Sequence, residues 1–287
     1  MPRATLADCD AIAPGYGSLS FLALSARELV RWAAPRPGER WLDVATGTGE
    51  AARSLAAAVG AEGAVLATDL SGAMLASARS PADPPQLRYA QADGAQLPVP
   101  DRSQDGVLCA AGLFFLPDMP AGLQEWHRVL RPGGQAVFSS FRGSLMTPLP
   151  ELWAAQLAPL GLKPPVPPAA RIGSLATAAE LLTAAGFVDL RLEALDLPLA
   201  LASPQERWDH IVHGLEGLPL RGLPPETVEQ LREAHLAELA PYFAPGAGAG
   251  TEEGPAVTFN VPLLLAAGRA PGGQAVAGKP DSSDSEQ

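Results

Sequence analysis

Residues 41–50 read Trp-Leu-Asp-Val-Ala-Thr-Gly-Thr-Gly-Glu, from Trp41 to Glu50, and the reading of this stretch decides the fold. Arg40–Ala45 is a short apolar run of the kind that forms a buried strand, and Gly49–Val59 is Ala-rich with helical spacing. Between them Gly47 and Gly49 let the backbone turn tightly and approach a ligand without a Cβ in the way. A helix starting there points its free N–H groups at that ligand. Taken alone, Gly47-Thr48-Gly49-Glu50-Ala51-Ala52 also matches the loose G-x-G-x-x-G/A fingerprint of dinucleotide sites, a string that Gly- and Ala-rich sequence produces easily.

Working outward, Leu22–Ala34 has helical spacing and stops before the breaker Pro35-Arg36-Pro37-Gly38. Ala64–Thr68 is a second strand, ended by Asp69, and Ser71 has the character of an N-cap for a helix through Ala78. Leu87–Ala92 and Gly106–Ala111 are further strands. Ala121–Leu130 is an amphipathic helix stopped by Pro132-Gly133-Gly134, and Gln135–Phe141 is the fifth strand. Phe187–Leu197 and Val257–Gly268 complete the set. Alternating strand and helix predicts an α/β fold: a Rossmann-like, doubly wound, mostly parallel seven-stranded sheet.

The expected organisation is an N-terminal arm over 1–20, a single domain over 21–269, and a disordered tail over 270–287. Lid segments are expected over 142–173, which is Pro-rich with a helix around Leu152–Leu160, and over 198–255, with helices at Pro204–Gly214 and Pro225–Leu239 and a Gly/Ala loop. Ser174–Ala185 is a helix capped by Ser174. With 47% hydrophobic and 18% charged residues the chain can fill a core. A net charge of -11 repels phosphate backbones and argues against a nucleic-acid partner. Two cysteines, Cys9 and Cys109, are too few for a disulfide framework and fit no metal site, so no metal and a reducing cytoplasm are expected. No signal peptide and no membrane-spanning run is visible, so no membrane partner is expected.

Three aspartates refine the reading of the Gly loop. Asp43 stands just before it, where it would repel a pyrophosphate and attract the cationic amino group of S-adenosyl-L-methionine. Asp69 ends the second strand, where a carboxylate can accept from both ribose hydroxyls, a position NAD would use equally. Asp93-Gly94 follows the third strand, where a carboxylate can accept from an adenine amino group. Singly each aspartate could be a cap or turn residue; together, at successive strand ends, they point to one ligand.

With these motifs in place, the chain resembles the class I S-adenosylmethionine-dependent methyltransferases of the ubiquinone/menaquinone-biosynthesis C-methyltransferase-like type (methyltransferase type 11). The matching pieces are Leu42–Gly49, Thr68–Leu75, Ala92–Pro98, Asp105-Gly106-Val107 and Glu125–Gly134, covering about residues 25–141 and more weakly Leu175–Val188. Ala45 departs from the Gly that many members carry there. The resemblance implies that Asp43 and the loop of Ala45, Thr46, Gly47 and Gly49 hold the methionine part. It further implies that Asp69 holds the ribose with Leu70 and Met74 near the adenosine, that Asp93 and Gly94 recognise adenine, and that Ala110 and Ala111 border the sulfonium. Tyr16, from the arm, is a further candidate because in relatives the arm folds over the cofactor.

Methyl transfer from an activated donor needs in-line alignment and exclusion of water, and a general base only for some acceptors. The base candidates are His210 and His213, three apart on a lid helix near Glu206 and Asp209; an exposed pair is the alternative. His127 is read as structural. Trp153, Trp208 and Phe243 are either substrate-pocket or packing residues. The expected partner is a small-molecule methyl acceptor (a quinone-like ring, a polyketide or another secondary metabolite) methylated on carbon or oxygen by a monomer or homodimer. The rival readings are a protein of this fold that does not transfer methyl, an NAD-dependent oxidoreductase, and an RNA or protein methyltransferase, which the acidic charge opposes.

Overall fold

The computed structural model describes residues 5–244 and 257–272. The first half runs α1 (Leu6–Tyr16), α2 (Ser20–Ala33), β1 (Arg40–Val44), α3 (Glu50–Val59), β2 (Ala64–Asp69), α4 (Gly72–Ala78), β3 (Leu87–Gln91), β4 (Gln104–Cys109), α5 (Met119–Val129) and β5 (Leu130–Phe141). The second half runs α6 (Leu149–Leu157), α7 (Leu175–Ala184), β6 (Val188–Leu201), α8 (Pro204–His213), α9 (Pro225–Leu239) and β7 (Val257–Arg269). One seven-stranded sheet results, in the order β3-β2-β1-β4-β5-β7-β6. The first five strands are parallel, and β7 is antiparallel to both neighbours. This is a mostly parallel, Rossmann-like sheet. Winding reverses between β1 and β4, so the loops leaving their C-terminal ends diverge and leave a crevice at the centre of the sheet.

Packing explains the local sequence. Leu42, Val107, Leu108, Val137 and Phe138 are fully buried, as parallel strands covered by helices on both faces require. Trp41 pairs in register with Gly106, and a Cβ on that glycine would stand 2.5 Å from the indole ring. Asp105-Gly106 is therefore a packing requirement: the glycine admits the ring, and the Asp105 carboxylate accepts from Arg40 N–H and pairs with Arg131.

Sequence and structure differ in several places. The segment read as an arm contains helix α1, whose signal is a reciprocal cap: Asp8 N–H donates to Thr5 Oγ1, and Thr5 N–H donates to Asp8 Oδ2. Strand β5 begins at Leu130, not Gln135, because Leu130 already pairs with Gln104 and Pro132-Gly133-Gly134 fall in a register shift before pairing resumes at Gly106 and Gln135. Strand β6 continues to Leu201, into the segment assigned to the lid, because it pairs with β7 all the way to Val257. The Gly/Ala loop over 245–256 and the tail over 273–287 lie outside the described residues. Among the described residues no helix is long and apolar enough to cross a membrane.

Helices α6, α8 and α9 share a second apolar cluster of Trp153, Leu157, Trp208, Ile211, Leu220 and Leu231. Trp153 meets Trp208 edge-on at 5.9 Å and donates from Nε1 to the Glu216 carbonyl. Arg207, fully buried, forms a two-pronged pair with the Glu216 carboxylate. His235 lies against both tryptophans, fully buried, with neither ring nitrogen hydrogen-bonded. Burial first, and Arg207 second, push its pKa down to about 4.

Because the folded pKa is depressed, the neutral ring contributes stability above the ordinary histidine range, and that stability is lost as pH falls towards 4. Chemical denaturation at pH 7 and pH 4.5 should show wild type losing about 2 kcal/mol more than a His235→Leu variant over this interval. Equal losses would assign the acid sensitivity to other groups.

Candidate functional site

The crevice at the sheet centre holds a cavity of about 710 Å³. Its floor comes from the C-terminal ends of β1, β2 and β4 and the turn after β3; helices α1 and α2 close it from the other side. Of the residues singled out from sequence, Tyr16, Asp43, Ala45, Thr46, Gly47, Asp69, Leu70, Met74, Asp93, Gly94, Ala110 and Ala111 all line it. Gly49 sits one step back, where a Cβ would press on Arg53, Tyr89 and Ala78 at 3.0–3.3 Å.

The geometry follows from the chain upward. Asp43 is fully buried; Thr46 Oγ1 donates to its Oδ2 at 2.6 Å, and its Oδ1 has no partner. Burial drives its pKa up to about 7, opposed by the Thr46 hydrogen bond and reinforced by Asp69. Gly47 (φ 55) and Gly49 (φ 84) take the left-handed turn that glycine allows, and Gly47 N–H donates to Asp69 Oδ2 at 2.8 Å. Ser71 N–H donates to the other Asp69 oxygen at 2.8 Å. Each Asp69 oxygen keeps a lone pair for a further donor, and burial raises this carboxyl above its ordinary range. Ser71 then caps α4, as its position suggests.

Asp93 is exposed and accepts from Ala95 N–H, holding a tight turn. A Cβ on Gly94 would stand 2.9 Å from Val44, so the pair Asp93-Gly94 brings the turn against β1. Gly94 carbonyl accepts from Trp126 Nε1, Leu97 N–H donates to Glu125, and Arg128 donates to the Leu97 and Val99 carbonyls. The Glu125–Arg128 motif thus clamps the loop beside the cavity, while His127 packs edge-on to Phe187. Ala45 (φ 55) and Ala111 (φ 49) are left-handed without being glycine, and they flank the two loops that meet at the crevice.

The remaining candidates lie elsewhere. His210 is buried against Phe21, with Nε2 3.1 Å from Ser20 Oγ; His213 Nδ1 lies 3.0 Å from Ser18 Oγ. Neither lines the central cavity; both brace the connector between α1 and α2, so this geometry gives no support to a histidine base. Nor is the pair exposed: His210 retains only 2% exposure. Trp153 and Trp208 belong to the second apolar cluster and Phe243 meets Phe259, so packing accounts for all three. Sequence reasoning missed Cys9 and Ile12 of α1, Leu22, Ser25 and Ala26 of α2, and Phe115, Leu116, Pro117 and Leu215. Only α1 carried a readable signal, its cap; the others have ordinary apolar patterns that become a wall through tertiary packing.

Among the described residues lining the cavity there are four carboxylates (Asp43, Glu50, Asp69, Asp93) and no Lys, Arg or His. Such a wall suits a cationic ligand and repels a pyrophosphate. Residues 42–138 match the family model described as "Methyltransferase domain". Over this stretch the chain is similar to class I methyltransferases of type 11 and to ubiquinone/menaquinone C-methyltransferase-like proteins. This chain is 36% identical over 137 residues to a 2-phytyl-1,4-naphtoquinone methyltransferase of Synechococcus elongatus, covering 44% of this chain and 59% of that one. It is 42% identical over 114 residues to the ubiquinone/menaquinone biosynthesis C-methyltransferase UbiE of Stenotrophomonas maltophilia, covering 38% and 45%. The chain thus spans about half the length of the curated relatives it matches. Its fold is shared with a candidate methyltransferase from an antibiotic biosynthesis pathway of Anabaena variabilis (TM-score 0.60, 18% identity, covering 85% of this chain and 95% of that one). It is shared too with the YcgJ protein of Bacillus subtilis (TM-score 0.53, 19% identity, covering 86% and 99%).

The residues present fit the cationic, ribose-bearing group of S-adenosylmethionine. The unpartnered Asp43 oxygen is a buried acceptor awaiting a donor, and the Asp69 carboxylate has spare lone pairs. Asp69→Ala should weaken S-adenosylhomocysteine binding by about tenfold or more in calorimetry, and unchanged affinity would remove Asp69 from the ligand contacts. Ala45→Gly should raise stability by about 1 kcal/mol in denaturant titration, since glycine enters the left-handed region without the Cβ penalty; a loss of stability would refute the strain at this turn.

Proposed function

We propose that this chain transfers a methyl group from S-adenosylmethionine to a small, largely apolar acceptor of the quinol kind. The observation that carries the reading is the cavity wall: Asp43, Asp69 and Asp93 around the Gly loop with no cationic side chain among the described lining residues, facing an apolar side formed by Leu22, Ala26, Phe115, Leu116, Pro117 and Leu215. In this reading Asp43 and the loop of Ala45, Thr46, Gly47 and Gly49 hold the methionine part, Asp69 the ribose, and Asp93 and Gly94 the adenine. Leu70 and Met74 pack beside the adenosine, Tyr16 covers the Gly loop from α1, and Ala110 and Ala111 border the reacting centre. When bound, S-adenosylmethionine supplies an already activated methyl group. The chain's part is then alignment and dryness: α1 and α2 roof the cavity with apolar side chains and keep water from the acceptor. With no histidine among the described lining residues, the acceptor's own acidity governs how readily it gives up its proton, and its alignment decides which atom is methylated. The names of the relatives support the ring class: one is a 2-phytyl-1,4-naphtoquinone methyltransferase and the other a ubiquinone/menaquinone biosynthesis C-methyltransferase.

Incubation with S-adenosylmethionine and reduced 2-methyl-1,4-naphthoquinone should give a product heavier by one methyl, with S-adenosylhomocysteine in equal amount. Binding without either product would favour a protein of this fold that does not transfer methyl. Cofactor binding should also be linked to protons. The Asp43 carboxyl, pushed up to about 7 by burial, is mostly neutral at pH 6. A bound cation favours its ionised form, so a proton leaves on binding and affinity rises from pH 5.5 to pH 7. Calorimetry at pH 6 in two buffers of different ionisation enthalpy should detect that proton, and Asp43→Asn should abolish it; equal heats in both buffers would refute the linkage.

A further inference from the structure

The acceptor side of the cavity is built on a loop whose side chains Leu113, Phe114 and Leu116 are buried in the core but whose backbone has few hydrogen bonds of its own. Residues 113–117 leave β4 through a short 3-10 turn, Leu113–Phe115, and then run extended into Asp118, which caps α5. Phe115, Leu116 and Pro117 face the cavity, so the positions of their backbones set its width. Within the loop, Phe115 N–H donates to the Gly112 carbonyl and Leu116 N–H to the Leu113 carbonyl, while the carbonyls of Phe114, Leu116 and Pro117 point away from the cavity to a single side chain. That side chain is Arg171. Its Nη1 donates to the Phe114 carbonyl at 2.6 Å and the Leu116 carbonyl at 2.7 Å, and its Nη2 to the Pro117 carbonyl at 3.3 Å.

Arg171 is itself firmly placed. It lies in the 3-10 turn Pro168–Ile172, whose Ala169 and Ile172 are buried in the main core, and Ser140 of β5 donates to the Ala169 carbonyl. The guanidinium therefore ties a loop on one side of the crevice to a turn seated on the sheet. A planar fork can serve three carbonyls at fixed angles; an ammonium, as a point charge, cannot reproduce that arrangement. Arg171 does not line the cavity, and it belongs to the Pro-rich segment outside the matched family model.

We propose that Arg171 is a positioning residue that fixes the acceptor wall and so sets which acceptors the site admits. The proposal rests on the methyl-transfer reading above for its consequence in turnover, but not for its structural core. Asp43, Asp69 and Asp93 come from β1, β2 and the turn after β3, and neither they nor Tyr16, Ala110 or Ala111 accept from Arg171 in these bonds, so the two halves of the site should separate experimentally.

The test uses the full chain with Arg171→Met and Arg171→Lys. S-adenosylhomocysteine affinity should stay within about twofold of wild type, while KM for reduced 2-methyl-1,4-naphthoquinone rises about tenfold with kcat within about threefold, the pattern of a lost binding geometry. Arg171→Lys, which keeps the charge but not the fork, should remain close to Arg171→Met. Hydrogen exchange of the amides over 113–117 should quicken by about tenfold in both variants, as local opening becomes easier. Wild-type exchange over 113–117 in both variants would overturn the clamp, and so would an unchanged KM or an equal loss of S-adenosylhomocysteine affinity. If wild type binds S-adenosylhomocysteine but methylates no quinol, the functional reading falls alone, and the exchange measurement still decides the role of Arg171. Should Arg171→Met fail to fold, Arg171→Lys supplies the same readouts.

Discussion

A carboxylate buried at the centre of a sheet must find partners or neutralise. Asp43 has one oxygen held by Thr46 and the other unpartnered, at the point where the winding of the sheet reverses. Much of the surrounding structure bears on this constraint. The left-handed turn at Ala45 and Gly47 folds the following loop back, so that Thr46 reaches the carboxylate and Gly47 N–H reaches Asp69. Burial next to a second carboxylate raises the affinity of the place for a proton or a cation. The same electrostatics that make the folded chain uneasy on its own make it receptive to a cationic ligand.

Around that centre the other motifs act mainly as supports. Trp126, Glu125 and Arg128 fasten the turn bearing Asp93 and the loop beyond it. Gly94 and Gly106 exist where a neighbour leaves no room for a Cβ. Apart from Gly94, these residues do not line the cavity, yet they fix the distance between the strand ends. A motif that looks catalytic in a string of letters is here partly a set of struts. The lid cluster of Trp153, Trp208, Arg207 and His235 is a small core of its own, and its polar members are placed for packing and pairing within it.

The acceptor side has a different logic. It draws on α1, α2, the loop after β4 and Leu215, elements distant in sequence and without a shared motif. Arg171 reaches this wall from more than fifty residues away along the chain. The histidines at 210 and 213, attractive as a pair on one helix, turn instead to Ser20 and Ser18 because α8 packs beside the connector of the first two helices. Helical spacing says which residues share a face; it does not say what that face meets.

The sequence by itself determined the sheet and its parallel core, because buried parallel strands demand apolar runs and glycine turns that leave a local trace. It also marked Asp43, Asp69 and Asp93, since each sits at a strand end whose position in the order is fixed by the winding. It placed Ser71 and Ser174 as caps through a local hydrogen bond to the backbone three residues on. Only the tertiary structure decided where β5 and β6 extend, because pairing partners across the sheet set those limits. It alone decided that α1 closes the cavity, that two histidines meet Ser18 and Ser20 off its wall, and that an arginine in a Pro-rich connector bonds three carbonyls behind it. The physical reason is the same in each case: these outcomes depend on contacts between residues far apart in the chain, which leave no periodicity or spacing for a reader of the sequence to find.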